Sequence, residues 1–293
     1  MGAANLSAKL LFIVNPGSGN QQINYSEAIA LHFKGQPQEI QIFELPKNCS
    51  QEKIKQAINE SKADRVIAVG GDGTLKLVAE CLQGSNMPIG IIPAGSANGM
   101  AKELGIPLEL DAALQVAAKG QPKKIHAIKV NGELCIHLAD IGFNAYIIKR
   151  FDSLPSRGML GYAKAAWQAL WSYHKMEIQL EIKGKQIQTQ AAMVVIANAT
   201  SYGTGVKINP EGDLSDELFE VILVKKYTVL EILKVRFTEL PFNPEKIELF
   251  HTKDLCIKTK HKVHFQVDGE YVGKVNRVEA TILPAAISII CPS

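Results

Sequence analysis

The sequence of 293 residues contains no segment that would cross a membrane as a helix, because no apolar run approaches the roughly 18 residues that this requires. We expect no signal peptide either, since the first nine residues are small and polar and lead directly into a strand-like stretch. Both absences favour a cytoplasmic protein. Any action on a membrane would then take place at its surface and be transient.

Cysteines and charge exclude further classes of protein. The five cysteines are scattered, odd in number and without a C-x-x-C pair, which argues against a disulfide framework or a zinc site and favours a reducing compartment. The formal net charge of +3 is too small to indicate a nucleic-acid partner. The cysteines are Cys49, Cys81, Cys135, Cys256 and Cys291.

The first part of the chain predicts an α/β domain over residues 1–121. Short apolar runs at 10–14, 39–43, 65–69 and 89–92 alternate with helical patterns. Alternating strands and helices are typical of an open, mostly parallel sheet that is covered on both faces.

The pattern changes near Gln121-Pro122, after which strands dominate and short turns follow them. Strands are expected at about 127–130, 134–138, 177–182, 191–197, 219–224, 255–259 and 263–267. Many short strands with turns predict an antiparallel β-sandwich over residues 122–283. Helices at 157–173 and 229–240 are expected to interrupt it. The sequence does not decide whether the tail, 284–293, returns to the first domain.

Three glycine-rich turns follow strands of the first domain: NPGSG at 15–19, GGDGT at 70–74 and PAGSANG at 93–99. Ligands of open parallel sheets bind beyond the carboxyl ends of the strands, so the three turns should line one crevice. Glycines and helix N-termini suit phosphate, although a single such turn is also an ordinary tight turn. Asp72 is the one carboxylate in these turns, which indicates a bridging divalent cation.

Two familiar nucleotide motifs are absent. The sequence contains neither G-x-x-x-x-G-K-[ST] nor G-x-G-x-x-G, which excludes an ordinary P-loop protein and a typical dinucleotide fingerprint.

VGGDGTLKLVAECL at 69–82, followed by IGIIPAGSANGMAKELGIP at 89–107, resembles the catalytic domain of diacylglycerol, ceramide and sphingosine kinases and their bacterial lipid kinase relatives. Later segments extend the resemblance over nearly the whole chain: KVNGELCIHLADIGFNAYI, GDLSDELFEVILV and VDGE at 267–270. The resemblance implies transfer of phosphate from Mg²⁺-bound ATP to a hydroxyl of a lipid such as diacylglycerol or a sphingoid base.

The resemblance also implies residue roles. Asp72 would hold Mg²⁺ through water, and Glu270 would accept the proton of the lipid hydroxyl from across the cleft. Asp213, Asp216 and Leu218 would form a structural Mg²⁺ site, the Asp216 carboxylate and the other two backbone carbonyls being its ligands. The positions implied for nucleotide binding are Asn15, Gly17, Ser18, Gly70, Gly71, Asp72, Gly73, Thr74, Leu75, Lys76, Gly95, Ser96 and Asn98.

Three positions depart from the family pattern. Gly99, His126 and Asn144 stand where family members carry aspartate. These losses keep open a second hypothesis, a nucleotide- or lipid-binding member with little catalysis. A third is a soluble-substrate kinase related to NAD kinases, against which the late D-G-E and the β-rich second domain are taken to argue. D-G-E is also compatible with an ordinary hairpin turn.

Two features suggest interaction surfaces in the second domain. Lys258, Lys260, Lys262 and His264 alternate along a strand, so they are expected to share one face, either solvated or drawn to anionic lipid. Trp167 and Trp171 lie on the helix expected at 157–173, whose apolar face would be buried or would contact acyl chains. Edge strands of this domain would permit a homodimer.

Overall fold

A computed structural model of the chain describes residues 8–19, 23–152, 175–201, 207–226 and 245–292. The helices expected at 157–173 and 229–240 lie outside these ranges. The chain divides into two compact units, Met1–Ile125 with Ala285–Ser293, and His126–Pro284.

The first unit contains a parallel sheet covered by helices. Its strands are β1 (Lys9–Val14), β2 (Glu39–Glu44), β3 (Arg65–Gly70) and β4 (Ile89–Pro93), in the order β2-β1-β3-β4. The end of the last strand of the chain lies beside β4, where Ile289 pairs in parallel with Ile89. The helices are α1 (Tyr25–His32), α2 (Gln51–Ser61), α3 (Asp72–Cys81), α4 (Gly99–Glu103) and α5 (Leu110–Lys119).

The core of this unit explains why β1 and β3 are almost uniformly apolar. Strands of a parallel sheet are buried on both faces, so alternation with polar residues is lost. In β1 every residue after Lys9 is buried. Phe12 is fully buried and its ring centroid lies 5.7 Å from that of Phe33.

The second unit is predominantly antiparallel. Its elements are β5 (Gln121–Val130, which begins in the first unit), β6 (Glu133–Cys135), β7 (Leu138–Gly142), α6 (Phe143–Asp152), β8 (Met176–Ile182), β9 (Lys185–Ala191), β10 (Met193–Ala197), β11 (Phe219–Val224), β12 (Ile247–Thr252), β13 (Asp254–Val267) and β14 (Glu270–Cys291). The central strands follow the order β12-β11-β10-β7-β13-β14. Strand β8 pairs with β13, β9 pairs with β8, and β5 pairs with β14 and β6.

The strand β13 corrects two expectations from the sequence. The runs at 255–259 and 263–267 are one strand, and its register with β14 shifts between Lys258 and Val263. An irregularity of this kind breaks the two-residue alternation of a strand. His264 is therefore buried, whereas Lys258, Lys260 and Lys262 are exposed, and the expectation that all four share one face is wrong for His264.

Replacement of Phe12 by alanine is expected to lower the free energy of unfolding by about 3–5 kcal/mol, because a fully buried ring is lost and a cavity remains. Leu31→Ala is the matched control, since that side chain is 71% exposed and its loss should change the free energy by less than about 0.5 kcal/mol. Urea titration followed by circular dichroism measures both. Equal effects of the two substitutions would contradict this description of the core.

Candidate active site

The turn after β1 is fastened to the turn after β3 through Asn15. Its main-chain N–H donates to the Val69 carbonyl at 2.9 Å, and its Nδ2 donates to Thr74 Oγ1 at 3.0 Å. Its Oδ1 accepts from the Gly17 N–H at 3.0 Å, which also shapes the first turn. One asparagine thus sets the distance between two of the glycine-rich turns.

The turn after β4 packs against both of the others through glycines. A Cβ at Gly95 would lie 2.5 Å from the Gly71 Cα, and a Cβ at Gly19 would lie 2.1 Å from the Ala94 carbonyl oxygen. Neither neighbour is a flexible side chain, so the close approach requires glycine. The structure therefore brings the three turns together at the carboxyl ends of β1, β3 and β4.

Asp72 is the first residue of α3, and its carboxylate caps the next helix along the chain. Oδ2 accepts from the Gly99 N–H at 2.9 Å and Oδ1 from the Met100 N–H at 3.0 Å, both at the start of α4. A carboxylate has about four acceptor sites, so two remain for water or a water-bridged cation. Carboxylate oxygens are ligands that Mg²⁺ prefers, so they fit the Mg²⁺ role implied for Asp72. The capping of α4 is a structural role of Asp72 that the sequence did not predict.

Asn98 closes the third turn on itself. Its Oδ1 accepts from the Gly95 N–H at 2.9 Å, and its Nδ2 donates to the Gly95 carbonyl at 2.8 Å. Its backbone is left-handed, with φ 50°, a conformation that asparagine tolerates better than most residues. Because both ends of the amide serve the turn, Asn98 shapes the site, while Ser96 is exposed at its tip.

The side chains of Thr74, Leu75 and Lys76 are all buried. In contrast, Gly73 is exposed, and Asp72 is half-buried. Groups of this segment that contact a ligand would therefore be the first backbone N–H groups of α3, because those of Thr74 and Leu75 already donate to the Gly71 carbonyl. Nucleotide binding by Leu75 and Lys76 remains a prediction.

In the second unit, Glu270 follows the turn between β13 and β14. Asp268 and Gly269 both have positive φ, 52° and 84°, as a two-residue type I′ hairpin requires. The Asp268 carboxylate accepts from the N–H groups of Ile136 at 3.1 Å, His137 at 2.9 Å and Leu138 at 3.2 Å. The Glu270 side chain is exposed and makes no hydrogen bond or ion pair within the described residues. Its carboxylate is thus available as a base on a fixed turn.

The loop expected to hold a structural cation is exposed at both of its aspartates. Asp213 Oδ1 accepts from the N–H and Oγ of Ser215 at 2.9 and 2.6 Å, and Asp216 Oδ1 accepts from the Leu218 N–H at 2.9 Å. In the described part of the chain, no three His, Cys, Asp or Glu residues are close enough to hold a metal. The Asp216 carboxylate and the backbone carbonyls of Asp213 and Leu218 are oxygen ligands of the type that Mg²⁺ takes.

His126 lies against this loop. Its main-chain N–H donates to the Leu214 carbonyl at 2.9 Å, and its buried ring nitrogens have no hydrogen-bond partner in the described structure. Burial lowers the pKa of the ring, and the nearby charges of Asp216 and Asp213 oppose that effect. His126 is therefore a packed residue whose main chain is hydrogen-bonded to the loop.

His264 lies close to the D-G-E turn and beside two tyrosine rings. Its Nδ1 is 2.9 Å from the Tyr271 hydroxyl, and its ring centroid is 5.2 Å from that of Tyr146. Burial, with smaller effects from Lys274 and Lys149, lowers the pKa of His264 to about 4. The ring is therefore neutral near pH 7.

Comparison with known proteins identifies the family of this chain. Residues 9–130 match the diacylglycerol kinase catalytic domain, and residues 138–291 match the YegS C-terminal NAD kinase beta sandwich-like domain. The chain belongs to the YegS and diacylglycerol kinase family. The match over two consecutive domains accounts for both units of the structure.

Curated members of the YegS and diacylglycerol kinase family match most of the chain. A protein of Pectobacterium atrosepticum named "Probable lipid kinase YegS-like" is 32% identical over 82% of this chain and 81% of its own. The diacylglycerol kinase of Bacillus subtilis is 29% identical over 72% of each chain. An uncharacterized protein of Synechocystis sp., 29% identical, is matched over 58% of its own length.

Solved structures confirm the predicted fold, an α/β domain with a β-sandwich domain. A diacylglycerol kinase from Bacillus anthracis has a TM-score of 0.75 at 19% identity, covering 97% of each chain. An NAD kinase from Archaeoglobus fulgidus in complex with ATP has a TM-score of 0.57 at 12% identity, covering 96% of this chain and 93% of that one. The β-rich domain therefore does not separate YegS-like proteins from NAD kinases, and that argument was wrong.

Within the described residues, no helix has the length and apolar character needed to span a bilayer.

Gly95→Ala is expected to weaken ATP binding about 10-fold or more, because the new Cβ would press on Gly71 and separate two turns. Gly35→Ala is the matched control: φ is also positive there, 78°, but the space is open, so stability falls and ATP affinity should not. Isothermal titration with ATP measures both variants. Unchanged affinity for Gly95→Ala would show that the contact of these turns does not matter for the nucleotide.

Acidification should destabilise the second unit through His264. Because the folded pKa, about 4, lies below the unfolded value, the unfolded state binds the proton first. The free energy of unfolding is therefore unaffected by protonation of His264 above about pH 6.5, and it falls progressively as the pH falls from 6.5 toward 4. His264→Gln should flatten that part of the curve of unfolding free energy against pH. An unchanged slope between pH 6.5 and 4 in the variant would disprove the assignment.

Proposed function

We propose that this chain transfers the γ-phosphate of Mg²⁺-bound ATP to the hydroxyl of a lipid. The observation that carries the proposal is the contact of the three glycine-rich turns at the ends of three parallel strands, with Asp72 at the start of α3. Family membership supports a kinase, and relatives named lipid kinase or diacylglycerol kinase support a lipid substrate.

In this proposal the first unit holds the nucleotide. Backbone N–H groups at the start of α3 and the partial positive charge of that helix end attract phosphate. Asp72 holds the turn after β4 in place, and its remaining acceptor sites would hold a cation through water. Mg²⁺, when bound, supplies neutralisation of the charge on the phosphates.

Glu270 is the proposed base in the second unit. As the lipid oxygen attacks the γ-phosphorus, its proton passes to the Glu270 carboxylate and ADP leaves. An exposed carboxylate without a partner suits this role, because no existing hydrogen bond must be broken first. Asp213, Asp216 and Leu218 would hold a second Mg²⁺ that orders their loop and takes no part in the chemistry.

The proposed substrate is diacylglycerol or a sphingoid base, reached transiently at a membrane surface from the cytoplasm. Relatives named lipid kinase and diacylglycerol kinase support the class. The choice between the two lipids is left to the assay below.

Two other functions have a specific observation in their favour. The likeness to an ATP-bound NAD kinase supports a soluble acceptor, since both chains share the fold. The non-acidic residues Gly99, His126 and Asn144 support a binding protein with little turnover. Asn144 weighs less than the others, because its Nδ2 donates to the carboxylate of Asp140 at 2.7 Å and the acid is thus present nearby.

The assay is transfer of ³²P from Mg²⁺-ATP to diacylglycerol, monoacylglycerol, phosphatidylglycerol, sphingosine and ceramide in detergent micelles, with NAD as the soluble acceptor. Glu270→Gln should lower kcat about 10²- to 10⁴-fold and leave ATP affinity nearly unchanged, because only proton transfer is lost. Asp72→Ala should lower turnover and ATP affinity together. Glu133→Gln, at another exposed strand position, is the matched control.

The outcomes separate the three functions. A labelled lipid that disappears in Glu270→Gln identifies the substrate. Label in NAD alone would refute the lipid assignment and favour the soluble acceptor. ATP binding without label in any acceptor would favour the binding protein.

A further inference from the structure

The turn before Glu270 is held by more hydrogen bonds than a two-residue hairpin requires. A type I′ hairpin is fixed by its backbone angles and by the strand pairing on either side. Here the Asp268 carboxylate also accepts from N–H groups of the chain just before β7, and the Asp268 N–H donates to the Leu138 carbonyl at 2.8 Å. These contacts fasten the first half of the turn.

Gln266 fastens the second half. Its Oε1 accepts from the Gly269 N–H at 2.8 Å, directly before Glu270. Its Nε2 donates to Asp140 Oδ2 at 2.5 Å, and the two residues lie opposite each other in the pairing of β13 with β7. Both are almost completely buried, 1% and 0% exposed. Two successive hydrogen bonds of the Gln266 side chain therefore connect Asp140 to the residue before Glu270.

The carboxylate of Asp140 determines which way the Gln266 amide points. An ionised carboxylate only accepts hydrogen bonds, so Gln266 must present its NH₂ to Asp140 and its carbonyl oxygen to Gly269. The reversed amide would place oxygen against oxygen and NH₂ against N–H. Both contacts would be lost inside a buried site, where an unmade hydrogen bond is costly.

Asp140 is itself held in place by donors. Asn144 Nδ2 donates to Oδ2 at 2.7 Å, and the Ala145 N–H at the start of α6 donates to Oδ1 at 2.9 Å. These donors and the helix N-terminus stabilise a buried negative charge. Asn144, with its NH₂ committed to Asp140, is part of the same arrangement.

We infer that Asp140 and Gln266 are positioning residues for Glu270, acting through the Gly269 N–H. The inference rests on the proposed role of Glu270 as base and assigns two residues outside the D-G-E turn to the same site. Neither touches the reacting atoms. They hold the backbone that carries the carboxylate, and a displacement of about 1 Å costs on the order of 10²-fold in rate.

The first test does not depend on activity. Hydrogen exchange of the Gly269 amide, read by NMR in the full chain, should speed up about 3- to 10-fold in Asp140→Asn and Gln266→Met. Both substitutions nearly conserve volume, so the fold should survive. Asp254→Asn and Gln190→Met, at exposed positions of β13 and β9, are the matched controls and should leave Gly269 unchanged.

The second test is kinetic. Asp140→Asn and Gln266→Met should lower kcat for the lipid about 10- to 100-fold while KM for ATP changes less than about 2-fold. A role limited to stability would lower the amount of folded enzyme and not the turnover of each folded molecule. Active-site titration with bound ATP supplies that normalisation.

A double variant, Asp140→Asn with Gln266→Glu, tests the amide argument. The amide oxygen at 140 would accept from the Ala145 N–H and its NH₂ would donate to the carboxylate at 266, whose other oxygen accepts from the Gly269 N–H, so protection of Gly269 should return to within about 3-fold of the parent. If the single variant loses protection and the double variant regains none, the control of amide orientation by charge is overturned.

The outcomes distinguish this inference from the proposed function. A parent chain without turnover on any lipid would refute the proposed function. Hydrogen exchange at Gly269 would still show whether Asp140 and Gln266 hold the turn. Unchanged exchange in both single variants would overturn the inference even if the parent is an active kinase. Faster exchange with an unaltered kcat would likewise overturn it, because the turn would then not position the base.

Discussion

The carboxylate of Asp72 joins two elements on which the candidate nucleotide site depends. It starts α3 and caps α4, so it ties the turn after β3 to the turn after β4. Hydrogen bonds from backbone N–H groups to a carboxylate are stronger than bonds between neutral groups, so these two bonds hold the turns together firmly. Asn15 adds the turn after β1 through Thr74, and the close approach of Gly95 to Gly71 leaves no room for a side chain between them.

The second unit follows a similar principle with different residues. A buried carboxylate, Asp140, orients an amide, Gln266, which holds the turn before Glu270, and Asp268 secures the other half of that turn. In both units an acid that is held by N–H donors fixes a glycine-containing turn. Backbone geometry at the site is therefore set by side chains that are not themselves expected to react.

Much of the fold follows from the sequence because its signals are local. Apolar runs such as Leu10–Val14 and the glycine-rich turns after them predict parallel strands and their ends. The strand ends also place the three turns on one edge of the sheet, since all four strands are parallel. Errors arose where the signal is not local: β13 was divided in two, and β9, β12 and α6 were missed because polar residues interrupt their apolar pattern.

By itself, the sequence determined the fold class, the family and the residues of the turns, because these depend on residue types and their spacing along the chain. Only the tertiary structure decided what those residues contact. The capping of α4 by Asp72 spans 27 positions, and the contact of Gln266 with Asp140 spans 126. Such pairings depend on strand register and helix packing, which no local pattern encodes. The apparent loss of an acid at Asn144 shows this well, since a carboxylate from Asp140 lies beside it in space.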